Sequence, residues 1–306
     1  MTSAVHSRHA VMASRLEGTA TGVVLLARPA VGNAMSLAMV EAFCGALDEL
    51  EQDAAVKAII VTGEGAHLCA GLDADDSVTM YRNADDDRGA KVPSLRSRLR
   101  VHDRYFWGGR GLFTRLVHCP KVTIAAVRGA AHGLGLYLTL CCDLVVAGET
   151  ATFALPRFQL LGADGDLTML INAVGLKRMR ELVFYSDGWD ARAAQRYGLV
   201  DEVVPDIDVD SKAQEFATIV SGVVRDGIAA EKYIAIAAME KMQVGTGFAI
   251  ATMMAAMASN IHHRPGEFNF LKAMRDHGRK VALLLAERYL SGEYIVDGAN
   301  EQGEIA

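Results

Sequence analysis

The groups in this chain best placed to do chemistry are main-chain amides at two glycine-bearing turns. In Lys121 to Phe153, KVTIAAVRGAAHGLGLYLTLCCDLVVAGETATF, an apolar β-branched run from Val122 to Val127 ends at Gly129. Gly133 and Gly135 then open a second apolar run, Leu136 to Cys142, of helical length. The pattern predicts a strand feeding a glycine-rich turn onto a helix N-terminus. The first amides of a helix have no internal partner and face outwards at the positive end of its dipole, so such a turn suits an anion or a developing oxyanion. Glycine repeats in apolar sequence equally suit close helix packing. A second turn of this kind, Cys69-Ala70-Gly71-Leu72-Asp73, follows another apolar strand. Its small residues leave the backbone bare enough for a ligand to lie against the amides.

Two stretches carry charged candidates. Pro156 to Asp166, PRFQLLGADGD, sets Asp164 and Asp166 among glycines, where an aspartate is also an ordinary turn former. Arg96, Arg98, Arg100, Arg104, Arg110 and Arg115 follow an acidic run at Asp85 to Asp87. They suit either the phosphates of a nucleotide-bearing substrate or a solvated helix face.

The elements that must hold these groups follow from periodicity. Residues 1–15 show none and are expected to form a flexible arm. Val23 to Ala27 and Val56 to Thr62 predict strands, Asn33 to Ser36 a turn with a candidate N-cap, and Val40, Phe43, Leu47 and Leu50 one buried helical face. Asp190 caps a short helix ending at Tyr197. Beyond Pro205 the chain reads as roughly four helical segments with no strand pattern. Met239, Met242, Met253, Met254 and Met257 lie there and suit an adaptable core or a subunit interface. The expected organisation is an α/β core over 16–205, a helical region over 206–290 and a polar tail over 291–306.

Composition narrows the function. With 51% hydrophobic and 22% charged residues among 306, the chain has the make-up of an ordinary soluble globular protein. A net charge of −6 argues against nucleic acid as a partner, which needs clustered positive charge. No run reaches membrane-spanning length and no signal-peptide core is evident, so a cytoplasmic protein without a membrane partner is expected. The five cysteines form no C-x-x-C pair and suit reduced, buried thiols. The nine histidines contain no H-x-x-x-H, and no metal site is expected. Gly133-x-Gly135 lacks the third glycine of a dinucleotide fingerprint, and no G-x-S-x-G is present.

Six collinear blocks carry a more specific likeness: RPAVGNAMS (28–36), AIIVTGEG (58–65), CAGLD (69–73), CPKVTIAAVRGAAHGLG (119–135), CCDLVVAGETATF (141–153) and ARAAQRYGLVDEVVP (191–205). Together they resemble the crotonase superfamily, the enoyl-CoA hydratase/isomerase family. The resemblance implies the ClpP/crotonase-like spiral of ββα units with a helical C-terminal trimerisation region. It implies a homotrimer or a dimer of trimers acting on an acyl-CoA or a related β-dicarbonyl compound. Coenzyme A would enter as part of the substrate, with no separate cofactor.

Residue by residue, the resemblance assigns the two enolate-stabilising N–H donors to Leu72 and Leu134, with Cys69, Ala70, Gly71, Asp73 and Gly133 against the substrate. The family usually has glycine where Leu134 stands; leucine keeps the N–H, and its side chain either crowds the substrate or leans away. At the positions of the two hydratase glutamates stand Tyr137 and Arg157, neither of which can be a carboxylate base. Asp164 corresponds to the catalytic aspartate of the dienoyl-CoA isomerases and camphor-type β-diketone hydrolases, with Asp166 the alternative. Tyr137 suits a proton donor or a core tyrosine, and His132 a proton carrier or a residue facing the neighbouring strand. Arg157 suits a substrate carboxylate, or a salt bridge to Asp164, Asp166 or Glu149. The expected chemistry is therefore isomerase-like or C–C hydrolase-like rather than two-glutamate hydration. The alternative is a catalytically silent homologue that binds acyl-CoA or serves as a scaffold.

Overall fold

A computed structural model describes residues 10–73, 76, 95–156, 167–257, 263–264 and 266–292. Asp164, Asp166 and Arg157 lie outside them, as does the polar tail beyond residue 292. The chain opens with β1 (Val11–Arg15) antiparallel to β2 (Thr21–Leu26), Val11 opposite Leu26. Over residues 11–15 this corrects the expected arm, while residues 1–9 lie outside the described residues. VMASR shows no clear alternation, and it becomes a strand by bonding to the free edge of β2.

Helix α1 (Leu37–Gln52) begins where Ser36 accepts the Met39 amide, the expected N-cap, and buries Val40, Phe43, Leu47 and Leu50. β3 (Ala58–Gly63) is buried along its whole length, as a central parallel strand covered on both faces must be. α2 (Leu95–His102) runs into a single wide turn, Asp103–Trp107, and then α3 (Leu112–Val117). β4 (Val122–Val127) matches the expected strand and leads directly into β5 (Ala130–His132) and α4 (Leu134–Cys141). β6 (Leu144–Gly148), β7 (Thr152–Ala154) and α5 (Thr168–Phe184), the last broken at Gly175, repeat that ββα order. β8 (Trp189–Asp190), α6 (Ala191–Tyr197) and β9 (Glu202–Val204) complete the core, with Asp190 accepting the Ala193 amide as the expected cap.

The strands form two sheets. One has the order β1-β2-β3-β4-β6-β9, parallel from β2 onwards; the other has the order β5-β7-β8. The chain steps from the first sheet to the second twice, at β4 to β5 and at β6 to β7, which produces the expected mixed α/β spiral. Alternate residues of the large sheet serve two cores. Ile59, Val61, Ala125 and Val127 join the main core, while Ala58, Ile60, Ile124 and Ala126 pack with Val209, Ala213 and Ala217 of α7 (Val209–Ser221).

After α7 come α8 (Arg225–Lys241), α9 (Val244–Met257), α10 (Phe270–His277) and α11 (Arg279–Leu290), five helices among the described residues beyond Pro205, where roughly four segments were expected. α10 and α11 are parted at Gly278, whose φ of 79° interrupts the helical pattern. The helical region is tied down by two lysines, one half-buried and one buried. Lys57 donates to the carbonyls of Ser221 and Val223, each at 2.8 Å. Lys232 of α8, 7% exposed, reaches both oxygens of Asp143 at 2.6 Å, and the same carboxylate accepts the Thr123 amide at 2.7 Å.

Candidate active site

The two turns singled out in the sequence lie side by side. Segment 69–73 is sandwiched between β5 and the loop that ends at Met35. On the β5 side, Cys69 N donates to Ala130 O at 2.9 Å and His132 N to Cys69 O at 3.0 Å, a parallel bridge. On the loop side, Ala70 N donates to Gly32 O, Met35 N to Gly71 O and Asp73 N to Met35 O, at 2.8 to 2.9 Å. A Cβ placed on Gly133 would sit 3.9 Å from Gly71 Cα, so the turns meet at their glycines.

The direction of the two leucine amides follows from the peptide geometry. In a trans peptide the C=O and the N–H point opposite ways, and no cis bond occurs among the described residues. Gly71 O is taken by Met35, so the Leu72 N–H on the same peptide faces away from the loop, towards the β5 and Gly133 side. Gly133 O accepts the Tyr137 amide in the first turn of α4, so the Leu134 N–H faces out of the helix N-terminus. Neither amide donates to a protein acceptor among the described residues.

The two meanings of the glycine repeat are divided between its members. Gly133 makes the turn, with φ 51° that a Cβ would strain. Gly135 makes the packing, because a Cβ there would lie 2.4 Å from Cys69 O. Leu134 is buried and packs within the main hydrophobic core.

The other expected site residues divide. Ala70 is exposed and Gly71 buried beside Gly133. Cys69 is fully buried; its sulfur accepts the Gly71 amide at 3.4 Å and burial pushes the thiol up to about 12, so its side chain braces the turn from beneath. The Asp73 carboxylate takes Arg28 Nη1 at 3.0 Å. His132 faces the neighbouring strand, Nε2 lying 2.9 Å from Thr152 Oγ1, and burial together with His67 lowers its pKa, leaving the imidazole neutral at pH 7. Tyr137 is buried edge-on to Trp107 and Phe113, with ring centroids at 5.3 and 5.6 Å. Of the arginine run, Arg104 pairs with Glu41 and Arg115 with Asp48, both roles within the protein. Glu149 pairs with Arg192.

Sequence reasoning placed Asn33 in a turn but gave it no role at the site. It is fully buried at φ 56°, its Oδ1 accepting the Arg28 amide at 2.8 Å and its Nδ2 donating to Glu64 O at 3.0 Å and His67 O at 2.7 Å. An asparagine beside a glycine in a turn segment was the available signal, since asparagine tolerates the left-handed region.

Comparison with known proteins agrees with this architecture. The family model described as enoyl-CoA hydratase/isomerase matches residues 17–106 and 96–272. A probable enoyl-CoA hydratase of Rhodobacter capsulatus is 32% identical over 206 residues, 67% of this chain and 72% of that protein. A peroxisomal Delta(3,5)-Delta(2,4)-dienoyl-CoA isomerase of Arabidopsis thaliana is 31% identical over 184 residues, 59% of this chain and 64% of that one. The crystal structure of an enoyl-CoA hydratase/isomerase from Xanthobacter autotrophicus Py2 superposes with a TM-score of 0.73 at 28% identity, covering 92% of this chain and 98% of the other. Relatives of nearly equal identity thus carry the names of different reactions.

Proposed function

The chain belongs to the enoyl-CoA hydratase/isomerase family of enzymes, and from that premise we propose that it transforms an acyl-CoA through an enolate held by the amides of Leu72 and Leu134. The supporting observation is that these two N–H groups have no acceptor among the described residues and belong to turns in contact at Gly71 and Gly133. A thioester carbonyl between such donors becomes more acidic at its α-carbon, because the charge that develops on oxygen meets dipoles already in place. Removing one such donor typically costs about 3 kcal/mol of transition-state stabilisation.

Asp164 is the proposed acid–base group, on its correspondence with the catalytic aspartate of the isomerase and hydrolase branches. The residues at the hydratase glutamate positions favour isomerase-like or C–C hydrolase-like chemistry. Tyr137 is a tyrosine packed among aromatic rings, and Arg157 carries no carboxylate. The neutral, strand-facing His132 is a weaker candidate for proton transfer than the aspartate.

The test is exchange of the α-protons of butyryl-CoA with deuterated water, followed by proton NMR. The enzyme is expected to exchange them and Asp164→Asn to stop the exchange. Binding of the ester without exchange or turnover of enoyl, dienoyl or β-keto substrates would instead mark a silent homologue.

The proposed assembly is a homotrimer or a dimer of trimers through the C-terminal helices. Tyr233 and Ile234 of α8 and Ile250, Met253, Met254 and Met257 of α9 are exposed in the single chain, a large apolar surface for a protein in isolation. Light scattering should give three or six times the chain mass; a monomeric mass at micromolar concentration would rule this assembly out.

A further inference from the structure

The loop on the far side of the Leu72 turn is built to hold one peptide in one orientation. Its Arg28 has Nη1 at 3.0 Å from Ala34 O and 3.0 Å from Asp73 Oδ2, spanning the loop and the residue that follows Leu72. Between these anchors the Met35 amide takes Gly71 O and the Met35 carbonyl takes the Asp73 amide, so both peptides flanking Leu72 are fixed. Asn33 locks the loop from inside by bonding the Arg28 amide and the carbonyls of Glu64 and His67. Gly71 needs such a template. With φ 114° and no side chain, its peptide has the freedom to rotate, and rotation would swing the Leu72 N–H away from Gly133.

We propose that Arg28 is a positioning residue that sets the direction of the Leu72 N–H, acting through Asp73 and the carbonyl of Ala34. The inference rests on the reading of Leu72 as an oxyanion donor. It assigns Asp73 to the same clamp and not to substrate contact. The substrate it serves is a thioester carbonyl, and the effect is on polarisation of that carbonyl rather than on binding of the coenzyme A portion. A donor displaced by an ångström loses much of its stabilising power, so removing the clamp is expected to lower kcat ~10²-fold with KM changed little.

The probe is 4-(dimethylamino)cinnamoyl-CoA, whose absorption band moves to the red when its carbonyl is polarised. Wild-type enzyme should shift the band. Arg28→Met should bind the ester within about twofold of wild type while losing at least half of the shift, and Arg28→Lys, which can still donate to both oxygens, should recover most of it. In an Asp73→Asn background the Arg28→Met change should add little, because the two residues act as one unit. Thermal melts of each variant separate this from unfolding. A full shift in a folded Arg28→Met protein overturns the clamp and leaves the oxyanion reading standing. Ester bound by wild type with no shift overturns both.

Discussion

Leu134→Pro is expected to lower kcat about 10²–10³-fold, the loss typical of deleting one oxyanion donor. On the main chain the substitution removes an N–H that has no acceptor among the described residues, at the first position of α4, where proline is well tolerated because its φ is already helical. The preceding residue is the one at risk from a following proline, and here it is Gly133, whose φ 51° and ψ −108° are the mirror image of an extended conformation open to glycine. Truncating the buried leucine has its own cost, so Leu134→Ala is the control: it loses side-chain packing and keeps the amide. The mechanism requires the alanine variant to retain most of its turnover. Equal rates for the two variants would mean that the Leu134 amide plays no part.

Lys232→Met is expected to destabilise the fold by about 1.5 kcal/mol, at the lower end of the range for losing a hydrogen bond to a charged group. The lower end applies because the Asp143 side chain is 32% exposed and keeps the Thr123 amide and hydroxyl as donors. Lys232 is also the buried tie between α8 and the start of β6, so the loss should appear first in the helical region. Urea unfolding followed by circular dichroism reads the effect. Pairing the change with Asp143→Asn, which removes the stranded charge and keeps an acceptor for Thr123, should recover at least half of it. If the single variant melts like wild type, the ion pair contributes nothing to holding the helices down.

Local signals were legible and long-range ones were not. β4 appeared where its β-branched run stood, and Ser36 and Asp190 capped the helices they precede, because each signal lies within a few residues of its effect. β1 was missed since Met12 points to solvent and the segment becomes a strand only through pairing with β2. The adjacency of the two turns entered through resemblance; residue spacing within either turn could not supply it. The Arg28–Asp73 clamp bridges positions 45 apart, and no pattern along the chain announces such a pair. The burial of the Cys69 side chain was hidden for a related reason: small residues in a turn reveal that the backbone is accessible, not which face of it is.

The burial of Leu134 also bears on redesign. A side chain committed to the core gives little leverage for sorting substrates by size or polarity. A library built there would select for folding, and altered preference would have to come from other walls of the cavity. Leu134 is thus a site to leave unvaried when changing what the enzyme accepts.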